Sequence, residues 1–376
     1  MANNNDKKVL NVPDLRFPEF SGEWVETELQ DIVPNICSGK DRISNSGEVA
    51  LYGSTGVIGR TNSASYKENI VLVARVGANA GQMQIGNAPC GVTDNTLVID
   101  AKEWNYYIYY FLQHYNLNRL VFGSGQPLIT GGMLKRIKVR YGCKAERNNI
   151  TRLLCLIDER IATQNKIIEK LQSLIKGLVD ELMTVLLKGK LYPFSSFYIK
   201  AGEGGTPTTS VVEYYTEGTI PFIKIEDLSC KYLTNNKDFI TELGMQKSSA
   251  WLIPSKSVIY SNGATIGAIS INEYPVCTKQ GILGIVPNTN INVEYLYLLM
   301  SSSYFSKEIS RIITEGTMKT AYLKDINHIK CPLPSMAQQK NITNLTSSIE
   351  EKLSIEQELL RFLNLQKQYL LHMIFI

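Results

Sequence analysis

The chain states one pattern twice, and this duplication constrains its fold more than any other feature. Val71-Leu-Val-Ala-Arg-Val-Gly-Ala-Asn-Ala-Gly81 is echoed by Val258-Ile-Tyr-Ser-Asn-Gly-Ala-Thr-Ile-Gly267. In both, a β-type run leads into Gly-Ala-x-x-Gly. Leu134-Lys-Arg-Ile137 returns as Leu323-Lys-Asp-Ile326, Asn149-Ile-Thr151 as Asn341-Ile-Thr343, and Ile157-Asp-Glu159 as Ile349-Glu-Glu351. The offset drifts from 186 to 192 residues, as loop insertions would make it do. A period of about half the chain is not that of a solenoid. It predicts a pseudo-dimer within one chain, and two-fold objects suit two-part targets such as split DNA sites.

Each copy has a mixed part, rich in glycine, tyrosine and β-branched residues, followed by a long helical part. From Ile150 a seven-residue pattern runs through Leu154, Ile157, Ile161, Gln164, Ile168, Leu171, Ile175, Leu178, Leu182 and Val185. Ten of these eleven positions are apolar, which predicts a coiled-coil seam. Gly189 and Pro193 then stop the helix. The second copy repeats the seam at Ile342, Thr346, Ile349, Leu353, Glu356, Leu360, Leu363, Lys367, Leu370 and Ile374, with Leu345, Leu359, Phe362 and Leu371 widening the face. Gln164 and Glu356 fall at one repeat position, where a polar residue either fixes register or reaches solvent. Two such helices related by a two-fold axis pack antiparallel. Thirty-six residues span roughly 54 Å at 1.5 Å per residue, long enough to set two modules on successive major grooves. The expected architecture is α+β: two pseudo-symmetric mixed domains, 1–143 and 191–333, separated by an antiparallel coiled coil of helical segments 144–190 and 334–376.

Composition serves mainly to exclude. At 376 residues there is room for two or three domains with proper cores. No window has the apolar length of a membrane span, and Met1-Ala-Asn-Asn-Asn-Asp-Lys-Lys8 lacks a signal segment. Seven cysteines without a Cys-x-x-Cys pair predict reduced thiols in a cytoplasm and no structural zinc. His114, His328 and His372 are the only histidines, so no histidine-based metal site is expected. Residues 13–143 carry 12 basic and 12 acidic side chains, and 191–333 carry the same. Charge alone therefore does not point to nucleic acid. The best basic patch, Lys135, Arg136, Lys138 and Arg140, reads equally well as a solvated strand edge.

Several motifs together resemble the specificity subunits of type I restriction–modification enzymes, over nearly the whole length. They are Pro13-Asp-Leu-Arg-Phe-Pro-Glu-Phe-x-Gly-x-Trp24, Tyr52-Gly-Ser-Thr-Gly-Val-Ile-Gly59, Gly204-Gly-Thr-Pro207, Ile220-Pro-Phe222, Glu226-Asp-Leu228, and Leu323-Lys-Asp-Ile326 before Pro332-Leu-Pro334 and Gln338-Gln339. The first copy departs where Cys331-Pro-Leu-Pro-Ser-Met-Ala-Gln-Gln339 is matched by Val139-Arg-Tyr-Gly-Cys-Lys-Ala-Glu-Arg147, which leaves the turn into that helix open. The resemblance implies two target-recognition domains, each reading one half of a split double-stranded DNA sequence. It implies helices that dock two adenine-methylating modification subunits and, through them, helicase–nuclease restriction subunits. S-adenosylmethionine, ATP and Mg are then expected in those partners, and no cofactor or metal in this chain.

The residues themselves carry no methyltransferase or ATPase signature, and nothing in them positively supports a paired-carboxylate nuclease site. No Asn-Pro-Pro-Tyr or Asp-Pro-Pro-Tyr exists, Phe122-Gly-Ser-Gly125 is a lone short likeness to a cofactor loop, and no phosphate-cradling Gly-x-x-x-x-Gly-Lys-Ser/Thr is present. A self-contained DNA methyltransferase would need the missing signature. A purely helical adaptor would leave two large domains unexplained. Gly53, Gly56, Gly59, Gly77, Gly81, Gly263 and Gly267 read as turns or close approaches, which also bring backbone to a DNA surface.

Base readout needs Arg or Lys for guanine and Asn or Gln for adenine. Loop candidates are Lys40, Arg42, Arg60, Arg75, Asn79, Gln82 and Gln126 in the first domain. In the second they are Thr206, Lys224, Asn262, Thr265, Lys279, Gln280 and Lys319. For each, an ordinary surface or phosphate-contacting role is the stronger reading from residue type alone. Tyr52 and Tyr260 either pack in the core or stack near the backbone of a ligand.

Overall fold

The computed structural model describes residues 11–33, 35–121, 127–263, 265–313 and 319–375. Contacts divide it into two units, Met1–Lys166 with Glu358–Ile376, and Ile167–Gln357. Each unit therefore holds one mixed segment and a stretch of both long helices.

The first unit contains strands β1 (Val25–Glu28), β2 (Ile36–Ser38), β3 (Val49–Gly53), β4 (Gly56–Thr61), β5 (Ile70–Ala74), β6 (Met83–Gly86), β7 (Cys90–Val92), β8 (Thr96–Ile99) and β9 (Lys138–Tyr141). Its helices are α1 (Leu29–Ile32), α2 (Asn105–Tyr115), α3 (Gly131–Lys135) and the start of α4 (Lys144–Leu186). An antiparallel sheet of order β2-β8-β5-β6 lies beside a smaller one of order β4-β3-β7, whose β3–β7 pair is parallel. β5, Ile-Val-Leu-Val-Ala, is buried along its whole length. Its β-branched run suits a strand covered on both faces, and the period of two sorts its side chains. Val71 and Val73 join Tyr107, Ile108 and Phe111 of α2 in one core. Ile70 and Leu72 join Tyr52, Cys90 and Val92 in another. Asn116, left-handed at φ 58°, ends α2 by donating its N–H to Leu112 O.

The second unit repeats this plan. Its strands are β10 (Leu191–Pro193), β11 (Tyr198–Glu203), β12 (Ile220–Ile223), β13 (Tyr232–Leu233), β14 (Asp238–Ile240), β15 (Val258–Ser261), β16 (Ile269–Asn272), β17 (Cys277–Thr278), β18 (Ile282–Pro287) and β19 (Lys330–Pro332). Its helices are α5 (Glu242–Gln246), α6 (Val293–Ser301), α7 (Ser303–Ile312), α8 (Leu323–Ile326) and most of α9 (Met336–Ile374). The order β11-β18-β15-β16 reproduces β2-β8-β5-β6, with β13 added at the edge, and β14-β12-β17 again has a parallel β12–β17 pair. Side chains repeat as well as strands. The Tyr107 hydroxyl donates to Arg140 O, and the Tyr295 hydroxyl to Pro332 O, both at 2.8 Å. The matching thiols of Cys90 and Cys277 are each pushed up to about 11 by burial. Tyr52 and Tyr260 are both core residues, and burial raises the Tyr260 hydroxyl to about 12.

In the first unit α4 and α9 run antiparallel. Ile150 and Ile374 line one small cavity, while further along the Lys367 ammonium meets the Asp158 carboxylate at 2.7 Å. Of the expected seam, Ile150, Leu154, Ile157, Gln164, Ile168, Ile342, Thr346, Leu363 and Ile374 are buried, and Ile161, Leu171, Ile175, Leu178, Leu182, Ile349, Leu353, Leu360, Lys367 and Leu370 are half-buried. Gln164 is thus enclosed, whereas half-buried Glu356 takes Lys352 at 3.0 Å. Val185, placed on the seam by the heptad, is 66% exposed, and Val179 and Met183 are buried instead. A straight helix drifts by about 20° per heptad from a strict seven-residue repeat. By the last turns the core of the second unit, not a strict seam, selects the buried face.

The departure between the two helix starts also has a physical account. Gln339 is enclosed, donating to Asn290 O and Pro334 O and accepting from Asn292 N–H. The guanidinium carbon of its counterpart Arg147 sits over Trp104, 3.3 Å from the ring centre. Glu146, in place of Gln338, is buried and takes Arg16 at 2.7 Å. A neutral amide network in one copy is a cation–π contact and an ion pair in the other. Among the described residues, no helix is long and apolar enough to cross a membrane.

Candidate nucleic-acid interface

The repeated loops gather at one end of each principal sheet. β5 runs into the first glycine turn and β15 into the second. Gly81 N–H donates to Ala74 O at 2.9 Å, and Gly267 N–H to Ser261 O at 3.0 Å. These glycines have φ of +91° and +101°, a region that side chains disfavour. Gly39, after β2, and Gly204, after β11, pass hard against the neighbouring backbone. A Cβ there would lie 2.2 Å from Val92 O and 2.0 Å from Thr278 O. Only glycine permits the crossing that brings each loop to the sheet end.

Between β7 and β8 lies the turn Thr93-Asp94-Asn95, and between β17 and β18 the turn Lys279-Gln280-Gly281. Equivalent backbone bonds hold both. Thr93 N–H donates to Tyr52 O and Lys279 N–H to Ile223 O, each at 3.0 Å. Arg75 N–H donates to Asn95 O and Asn262 N–H to Gly281 O, each at 3.0 Å. Side chains add further ties. Ser54 Oγ donates to Asn95 O at 3.1 Å, Gln280 N–H to Thr206 Oγ1 at 3.3 Å, and Gly281 N–H to Glu203 Oε1 at 2.7 Å.

This arrangement sorts the sequence candidates. In the second unit Thr206, Lys224, Asn262, Thr265, Lys279 and Gln280 surround one loop set, joined by Lys319 through the Ala321 N–H to Asn262 O bond. Thr265, Lys279, Gln280 and Lys319 are exposed. Asn262 is not available to a base. It is fully buried, and its amide donates to Ala321 O at 3.1 Å. Half-buried Lys224 is engaged by Asp238 at 2.8 Å, a bond that raises its pKa. In the first unit Arg75, Asn79 and Gln82 share the glycine turn, and Arg75 also donates to Ser38 Oγ at 3.2 Å, near exposed Lys40. Arg42, on the loop before β3, and Arg60, on β4 of the smaller sheet, stand apart, and Arg60 donates to Glu48 O at 2.6 Å. Gln126 and the Phe122-Gly-Ser-Gly125 loop lie outside the described residues. Within the basic patch, Lys138 and Arg140 both pair with Glu26, at 2.9 and 2.7 Å, and hold its carboxyl below the usual range. That half of the patch serves the β1–β9 ribbon.

Thr93, Asp94 and Asn95, on the turn equivalent to Lys279-Gln280-Gly281, are not among the sequence candidates. The repeat itself held the signal, since an offset of 186 residues carries Thr93 onto Lys279.

Comparison with known proteins places this geometry. The chain matches the family described as Type I restriction modification DNA specificity domain over residues 21–173 and 197–364. It is 30% identical over 154 residues to the specificity subunit of type I restriction enzyme MjaIX of Methanocaldococcus jannaschii, covering 39% of this chain and 35% of that protein's own length. To the MjaVIII specificity subunit of the same organism it is 24% identical over 389 residues, covering 92% of this chain and 89% of that one. The solved S subunit of a Type-I restriction-modification system from M. genitalium shares the fold, with a TM-score of 0.60 at 18% identity over 97% of this chain and 99% of that chain. The family match falls once on each copy of the internal repeat, and the protein belongs to the family of type I restriction–modification DNA specificity domains.

Proposed function

We propose that this chain is the DNA-sequence specificity subunit of a type I restriction–modification complex. Each unit reads one half of a bipartite double-stranded site. The long helices fix the gap between the halves and dock two modification subunits, which in turn recruit restriction subunits. The chain itself transfers no methyl group and cuts no DNA. S-adenosylmethionine, ATP and Mg act in the partners, and the complex works in the cytoplasm. The observation that carries this reading is the doubled loop set, in which equivalent backbone bonds present unlike side chains. Two readers on one scaffold suit a target of two unlike halves.

The test compares the purified chain with the chain co-purified with its modification subunits, using labelled S-adenosylmethionine and plasmid DNA. The chain alone is expected to give no methyl transfer and no cleavage, and the complex to methylate adenine at a split sequence. Methyl transfer by the chain alone would overturn the assignment.

A further inference from the structure

We infer that the turns Thr93-Asp94-Asn95 and Lys279-Gln280-Gly281 carry base discrimination, the first in one half-site and the second in the other. The inference rests on the function proposed above and assigns the residues that perform it.

The internal repeat supplies the logic. Two domains that grip the same double helix but read different bases must share what meets the backbone and differ in what meets the bases. The glycine turns, the Gly39 and Gly204 crossings and the four bonds at the turn ends are shared. The side chains on the turns are not. Asp94, Asn95, Lys279 and Gln280 are all exposed, and among the described residues none of their side chains is bonded or paired. The backbone beneath them is tied at both ends, so they are held out on a fixed support without an internal partner. A readout group requires that combination. Buried Asn262 and ion-paired Lys224, by contrast, are already committed within the fold.

Charge separates base contact from phosphate contact. A lysine suits either, but an aspartate beside the phosphates is repelled. Asp94 gains on DNA only as an acceptor from an exocyclic amine, as carboxylates accept from cytosine N4 in the major groove. Asn95 and Gln280 have the paired donor and acceptor that match adenine N6 and N7, and Lys279 suits guanine O6 and N7. The first turn therefore favours an amine-bearing base where the second favours a purine.

The test uses the full chain co-expressed with its modification subunits, as wild type and as Asp94→Ala, Lys279→Ala and Gln280→Ala, with methylated sites read across a genome. All three positions are exposed, so folding is not at stake. Asp94→Ala is expected to relax one position of the first half-site, with about a 10–100-fold loss of discrimination there. Gln280→Ala or Lys279→Ala is expected to do the same in the second half-site only. Where a variant abolishes methylation, selection of duplexes from a random library by the full chain reads the same preference. An unchanged motif in all three variants, whatever the rate, would overturn the assignment. So would relaxation of both halves by one substitution. A wild-type complex that methylates no split site would instead refute the proposed function, and the turns with it.

Discussion

Leu154→Asp is expected to unfold the first unit, while Leu156→Asp, two residues along the same helix, leaves it folded. Leu154 is fully buried in the core that also holds Tyr107, Phe111, Ile150 and Leu371, whereas Leu156 is 54% exposed. Removing a buried leucine costs about 2–5 kcal/mol. The aspartate must also be desolvated or protonated, at a further cost of several kcal/mol. The sum rivals the whole stability of a typical domain, about 5–15 kcal/mol. At the exposed position the change is on the order of 0.5 kcal/mol. Urea denaturation with limited proteolysis checks this. The expected result is a lost or strongly lowered first transition for Leu154→Asp alone. Equal effects of the two substitutions would contradict the packing of α4 described above.

Much of this fold was legible in the sequence, because the same constraint is written twice. The Gly-Ala-x-x-Gly echo marks equivalent exits from β5 and β15. The continuous β-type run before it marks strands covered on both faces. The illegible part lies in contacts between distant positions. Arg16 meets Glu146 across 130 residues, and Arg147 finds Trp104. No local pattern announces either. Along the heptad, Ile150, Leu154, Ile157, Gln164 and Ile168 are buried, whereas Val185 on the same repeat is exposed, because a local core rather than a seam decides the buried face there. At the loops, residue type alone was a poor guide. Asn262 has the right chemistry for adenine but spends it inside the fold, whereas Asp94 shares the turn position of Gln280 without sharing its residue type.

Lengthening both long helices by one heptad, after Lys166 and after Gln357, is expected to widen the gap of the methylated sequence and leave both half-sites unchanged. These positions are where contacts divide the two units. Insertion in both helices leaves each unit's own helix pairing intact. Seven residues add about 10.5 Å at 1.5 Å per residue and turn the face by only about 20°. At about 3.4 Å per base pair this is roughly three extra base pairs. Methylome sequencing of the variant complex reads the gap directly. Altered half-sites at an unchanged gap would show that the helices read sequence instead of spacing it.

The central claim is that each unit reads its own half-site. Its most direct measurement is methylome sequencing after residues 191–333 are replaced by the corresponding segment of another family member of known specificity. A hybrid sequence is expected. One half changes to that of the donor, and the other half and the gap stay as they were. A methylated sequence altered in both halves, or in neither, would contradict it.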